Sequence, residues 1–160
     1  MRIEHAIRPA VAADLPACAD IVNAYIDATD WLPRTRPHEE VAAAFTPELL
    51  QGRSVLVAET GERVVGYMTM TQGGMVPALY LAPEARGQGI GKALIDRAKA
   101  ASLGIVSLTV FEPNRDAIRF YEREGFVELP EARKVEEEGV PILLMRWSAN
   151  GRSSLGGGSR

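Results

Sequence analysis

One cysteine, Cys18, and two histidines, His5 and His38, are the whole supply of thiol and imidazole side chains in this 160-residue chain. A lone thiol excludes an internal disulfide framework and fits a reducing compartment. The two histidines stand far apart in sequence without ligand-like neighbours, so no metal is expected. No apolar run approaches the roughly 18 residues of a membrane span. The opening Met-Arg-Ile-Glu-His carries no apolar signal-peptide core. No membrane partner is therefore expected, and the expected location is the cytoplasm. Positive charge is not in excess either: 18 Lys and Arg face 21 Asp and Glu, a formal charge of -3. That argues against a nucleic-acid partner, because phosphate neutralisation needs clustered cations.

What is present is an ordinary globular composition, 46% hydrophobic and 24% charged. The length suits one domain with a sizeable core. A first strand is expected over 3–7, stopped by Pro9. A helix follows, with Asp14 as its cap and Cys18, Ile21, Val22, Tyr25 and Ile26 on one face at three- and four-residue spacing. Residues 27–37 read as a loop carrying Trp31, Leu32 and Pro33. A second helix runs over 41–45, and Thr46-Pro47 marks a break. The period then changes to two, giving strands over 54–59 and 64–71 as a hairpin and a third over 76–81. Pro77 cannot donate a ladder hydrogen bond, so this third strand must have an edge or a bulge there. A helix follows with Ala93, Leu94, Ala98 and Leu103 on its inner face. Then come a strand over 105–111, a helix opened by Pro113-Asn114 and ended near Gly125, and strands over 126–128 and 142–147 separated by a charged loop around 136–139. The sum is a mixed α/β domain over 1–147, with about seven strands and four helices, and a Gly/Ser-rich tail over 148–160 expected to be disordered.

The stretch Arg86-Gly87-Gln88-Gly89-Ile90-Gly91-Lys92 stands between a strand and a helix. Such a junction exposes backbone N–H groups that have no partner in the helix, and the helix dipole adds partial positive charge. Anions bind there, phosphates above all. Glycines let the backbone take positive φ and let a ligand approach with no Cβ in the way. Two familiar phosphate motifs fail. The dinucleotide fingerprint G-x-G-x-x-G would need glycine where Lys92 stands, and the P-loop would need glycine at Arg86 and a hydroxyl at Ala93.

A third pattern, Q/R-x-x-G-x-G/A, fits residues 86–91 in full. Further on, Asn114, Ala117, Phe120, Tyr121, Gly125 and Phe126 fit N-x-x-A-x-x-F/L-Y-x-x-x-G-F. Asn114 and Tyr121 are nearly two helical turns apart and share a face, with the small Ala117 between them. On these two signatures the chain resembles the GNAT superfamily of acyl-CoA-dependent N-acetyltransferases. The resemblance implies the GNAT fold: a mostly antiparallel sheet with a splayed parallel pair, here 76–81 and 105–111.

It also implies acetyl transfer from acetyl-CoA to an amine of a small molecule or peptide by direct attack. In that family the turn wraps the coenzyme A pyrophosphate, which assigns Arg86, Gly87, Gln88, Gly89, Ile90, Gly91 and Lys92. The pantetheine arm fills the splay like an extra strand, meeting the main chain of Leu79, Tyr80 and Leu81. Asn114 and Ala117 border the ligand. A backbone N–H near Tyr80 or Leu81 is the expected oxyanion donor. Tyr121 is the family's residue for the departing thiolate. Full proton transfer from an ordinary tyrosine to an ordinary thiol's conjugate base is uphill by about 2 kcal/mol, so Tyr121 acts as a hydrogen-bond donor first. Thr109 stands where members acting on ribosomal protein N-termini carry Glu, which weakens that acceptor class. The base is not readable: Glu59, Glu112, Asp27, His38 and a water chain all remain open. Acceptor choice should lie in 27–40, where Trp31 is a candidate wall, and in the connection between the last two strands. Family members often form dimers, so a homodimer is an expectation. The alternative is a non-catalytic acyl-CoA sensor of the same fold, which intact Asn114 and Tyr121 disfavour.

Overall fold

The computed structural model describes residues 5–136 and 138–150. Alternating apolar positions build two sheets from it. Ala6–Pro9 (β1), Ser54–Thr60 (β2), Arg63–Met70 (β3) and Ala78–Leu81 (β5) form the first, all antiparallel, in that order. In the second, Met75–Val76 (β4) lies parallel to Ile105–Phe111 (β6), which pairs antiparallel with Pro141–Ser148 (β9). Val127–Glu128 (β7) and Lys134–Val135 (β8) both pair with β9.

The strand expected over 76–81 is cut at Pro77. Its first piece, β4, belongs to the second sheet and its remainder, β5, to the first. A residue with no N–H cannot continue the ladder to β6, and the two sheets part at that point. β4 holds β6 by Met75↔Ser107 and Val76↔Leu108, while β5 pairs with β3 alone among the described residues. An opening is left between β5 and β6.

Helices pack on both faces. Leu15–Ala28 (α1) buries Cys18 against Val55, Val57 and Tyr67 of the first sheet. Burial there pushes the Cys18 thiol up to about 12, which suits an inert core residue. Ile90–Ala101 (α4) buries Ile90, Leu94, Ile95 and Ala98 in the larger core, shared with Val106, Leu108, Phe126 and Met145. Arg115–Arg123 (α5) covers the same core with Tyr121 and Phe120. His38–Ala43 (α2) and Leu49–Gly52 (α3) are short and bury no residue fully.

Several expectations shift. β1 runs to Pro9, which is its last residue; Ile3 lies outside the described residues. Asp14 occupies the N-cap of α1 but does not cap it. Its carboxylate accepts from Val11 N–H at 2.8 Å and from both terminal nitrogens of Arg8 at 2.8 and 3.0 Å. Leu103 is not on the inner face of α4: the helix stops at Ala101 and Leu103 sits fully exposed in the turn after it. The connection between the last two expected strands contains the extra strand β8, just before the charged loop, and Glu137 lies outside the described residues. Ser148, placed in the tail by composition, ends β9, and Ala149 N–H donates to Gly104 C=O at 2.8 Å. The rest of the expected tail, 151–160, lies outside the described residues. No described helix is long and apolar enough to cross a membrane.

Candidate active site

The opening between β5 and β6 is the floor of a cleft of about 810 Å³. One wall is the glycine turn with the start of α4. Gly87 and Gly89 have φ of 75° and 82°, and a Cβ on either would meet nothing within 4 Å. The positive φ turns successive amides outward, and the open space above them leaves access. No N–H from 87 to 92 has an acceptor among the described residues, and no side chain caps α4. The combination is an anion site in the making.

The side chains of this turn divide the work. Arg86, Gly87, Gly89, Gly91 and Lys92 line the cleft. Gln88 does not: its amide donates back to Glu84 C=O at 2.8 Å and fastens the turn. Ile90 sends its side chain into the core with no exposure. Those two residues offer a ligand their main-chain N–H only. Lys92 is engaged by Glu124 at 3.2 Å and Asp96 at 3.4 Å, tying α4 to α5.

The second wall is β5. Ala82 N–H donates to Val65 C=O at 2.8 Å. Antiparallel alternation from that bond aims Tyr80 at β3 and leaves the N–H and C=O of Leu79 and Leu81 directed at the opening. Of the two positions named from the sequence, Leu81 is the one whose N–H faces the opening, while the N–H of Tyr80 faces β3.

α5 supplies the third wall. Asn114 is its N-cap: its side-chain oxygen accepts from Ala117 N–H at 3.2 Å. Its amide nitrogen donates to the Tyr25 hydroxyl at 3.2 Å, joining α5 to α1. Ala117, Phe120 and Tyr121 follow along the lining face. The Tyr121 ring sits edge-on to Phe126 at 5.6 Å and to Phe120 at 5.1 Å. It is buried, lines the cleft, and its hydroxyl has no hydrogen-bond partner among the described residues. Desolvation first, then the neighbouring Tyr80 and Tyr25, pushes this hydroxyl well above the ordinary tyrosine range.

Sequence reasoning missed Tyr25, Phe111, Glu136 and Glu138, all of which line the cleft. Tyr25 packs on Tyr80 with ring centroids 5.3 Å apart. It carried no signal beyond apolar spacing on α1. Trp31 is not in the lining, but its ring lies 5.6 Å from that of Phe111, which is. The four side chains left open as bases lie outside the lining and are paired elsewhere. Glu59 holds Arg8 at 3.1 Å and Glu112 holds Arg133 at 2.9 Å, while Asp27 takes both Arg34 at 2.9 Å and His38 at 2.7 Å.

Comparison with known proteins accords with this geometry. The acetyltransferase (GNAT) domain model matches residues 51–128. The peptidyl-lysine N-acetyltransferase YjaB of Salmonella typhimurium is 35% identical over 108 residues, covering 67% of this chain and 70% of that protein. The peptidyl-lysine N-acetyltransferase YiaC of Escherichia coli is 26% identical over 144 residues, 88% of this chain and 95% of that protein. Among solved structures, apo-form YjaB from Escherichia coli superposes with a TM-score of 0.73 at 25% identity, covering 91% of this chain and 98% of that one. The structure of yncA from Salmonella typhimurium with its cofactor acetyl-CoA gives a TM-score of 0.69 at 24% identity, covering 91% and 94%. With both signatures at one cleft, this fold and these relatives, the chain belongs to the GNAT superfamily and is an N-acetyltransferase.

Proposed function

We propose that the protein transfers an acetyl group from acetyl-CoA to a primary amine of a peptide or small molecule by direct attack, with a peptidyl lysine as the first acceptor to test. The observation that carries this reading is the meeting, in one cleft, of amides over 87–92 and a Tyr121 hydroxyl that have no hydrogen-bond partner among the described residues. A GNAT-fold neighbour solved with acetyl-CoA supports the donor. Two relatives named for peptidyl-lysine support the acceptor.

Each part of the cleft has a task. The amides of the turn and Arg86 take the diphosphate of the carrier. The outward N–H and C=O groups of Leu79 and Leu81 pair with the amides of its pantetheine arm, as an added strand would. An N–H at Leu81 donates to the oxygen that becomes negative when the amine attacks the carbonyl. The Tyr121 hydroxyl then donates to the sulfur as the carbon–sulfur bond breaks.

The test is thioester consumption, read as free thiol, with Nα-acetyl-lysine methylamide, a lysine-containing peptide and a set of small primary amines. Thiol release that depends on the added amine, with the acetylated amine recovered in equal amount, is the expected result. Acetyl-CoA that binds but is never consumed with any of these amines would return the protein to the sensor class.

A further inference from the structure

Four acidic side chains among the described residues line the cleft: Asp116, Glu124, Glu136 and Glu138. Three have cations of their own. Asp116 pairs with Arg119. Glu124 pairs with Lys92 at 3.2 Å and Lys99 at 3.8 Å. Glu136 pairs with Lys134 at 2.6 Å. Among the described residues, the Glu138 carboxylate has neither an ion pair nor a hydrogen bond. It is nevertheless half-buried. A carboxylate that lines the cleft with no counter-charge of its own is free to take one from a ligand.

Glu138 is also held in place. Gly139, at φ 77°, turns the chain and donates its N–H to Glu136 C=O at 2.9 Å. Val140 is buried directly after, and β9 begins at Pro141. The segment is the connection into the last strand, and Glu136 and Glu138 both line the cleft from it. Its charge is felt inside: desolvation, then Tyr25, then Glu138 raise the Tyr80 hydroxyl to about 12. Tyr80 in turn neighbours Tyr121.

We propose that Glu138 is the acceptor-side carboxylate, which receives the ammonium group of a primary alkyl amine and takes the proton that the nitrogen must lose before it attacks the thioester. The assignment rests on the transferase reading above. The balance is simple. The ammonium gives one proton to the Glu138 carboxylate, directly or through one water, and Glu138 passes it to solvent. The nitrogen lone pair forms the bond to the acetyl carbon. The carbon–sulfur bond breaks and its electron pair leaves on sulfur. A second proton leaves the new nitrogen for solvent as the amide forms, and the sulfur, held by the Tyr121 hydrogen bond, takes one back from solvent. Amide, free thiol and one proton in solvent are the products. The same charge selects acceptors that arrive as cations.

The experiment compares Glu138→Gln, Glu138→Asp and the wild type on two probe amines. Nα-acetyl-lysine methylamide arrives as a cation at pH 7, and O-benzylhydroxylamine arrives neutral. For Glu138→Gln we expect kcat/KM to fall about a hundredfold with the lysine probe, within the usual worth of a positioned base, and less than about threefold with the neutral probe. Glu138→Asp should recover part of the loss, and coenzyme A affinity should be unchanged in both variants. Wild-type turnover of the lysine probe by Glu138→Gln overturns the assignment, as does an equal fall with both probes. A wild type that turns over neither probe overturns the alkylamine transferase reading itself, and the assignment with it.

Discussion

Tyr121 shows what one side chain can and cannot do. A hydroxyl assists a departing thiolate only while it still carries its proton. Burial beside Phe126 and Phe120 raises the hydroxyl above the ordinary range, so it stays protonated at any pH the enzyme meets. The same shift makes it a weaker acid, which favours donation of a hydrogen bond over full transfer. Tyr121→Phe removes the donor and keeps the ring packing. We expect kcat to drop by roughly ten- to a thousandfold and the dissociation constant of acetyl-CoA to move less than about threefold. Steady-state kinetics beside calorimetry separates the two quantities; a wild-type kcat removes Tyr121 from the mechanism. This residue was legible because its motif is local: Asn114, Ala117 and Tyr121 keep helical spacing whatever the rest of the fold does. Glu138 and Tyr25 were not. They reach the cleft through tertiary packing from distant parts of the chain, and the residues around each carry no pattern of their own.

At the scale of elements, β1 and α1 are fastened by one buried carboxylate. Asp14 takes two hydrogen bonds from Arg8 and one from Val11 N–H, and Arg8 also holds Glu59 of β2. The Arg8 hydrogen bonds, opposed by desolvation and helped by Val11, keep the Asp14 carboxyl below its usual range. A carboxyl depressed in the folded state adds stability above its unfolded value, near pH 4, and loses it as pH falls. Asp14→Asn should therefore cost about 2 kcal/mol at pH 7. The gap to wild type should shrink steadily below pH 4. Thermal melts at pH 7 and pH 3 check this; an equal gap at both would assign the loss to packing instead. The element scale is also where the sequence misled. Composition marks Asp14 as a cap, yet Arg8 competes for the same oxygens. Periodicity carried α4 to Leu103, although the chain leaves the helix at Ser102. Pro77 announced an irregular strand, but that its two halves join different sheets is a matter of non-local pairing that no local pattern encodes.

For the molecule as a whole, the parting of the two sheets at Pro77 is what creates a site. Two sheets continuous through 77 would satisfy every ladder group and leave no opening. Separated, they expose the main chain of Leu79 and Leu81 beside a helix start whose amides are unmet. Most of the order of strands and helices and both signatures were readable from the sequence, because each spans a short stretch with its own period; α3 and β8, of four and two residues, are too short to carry one. Of the rest of the cleft only the connection between the last two strands was named from the sequence; Tyr25 of α1 and Phe111 join it through tertiary packing. In the proposed reaction, backbone amides over 87–92 grip the diphosphate of the carrier. Calorimetry with coenzyme A and with pantetheine, which has the same arm and thiol but no diphosphate, tests it most directly. Coenzyme A should give a clear heat of binding, and pantetheine should bind at least about a hundredfold more weakly, about 2.7 kcal/mol. Equal affinities, or no heat with coenzyme A, would contradict it.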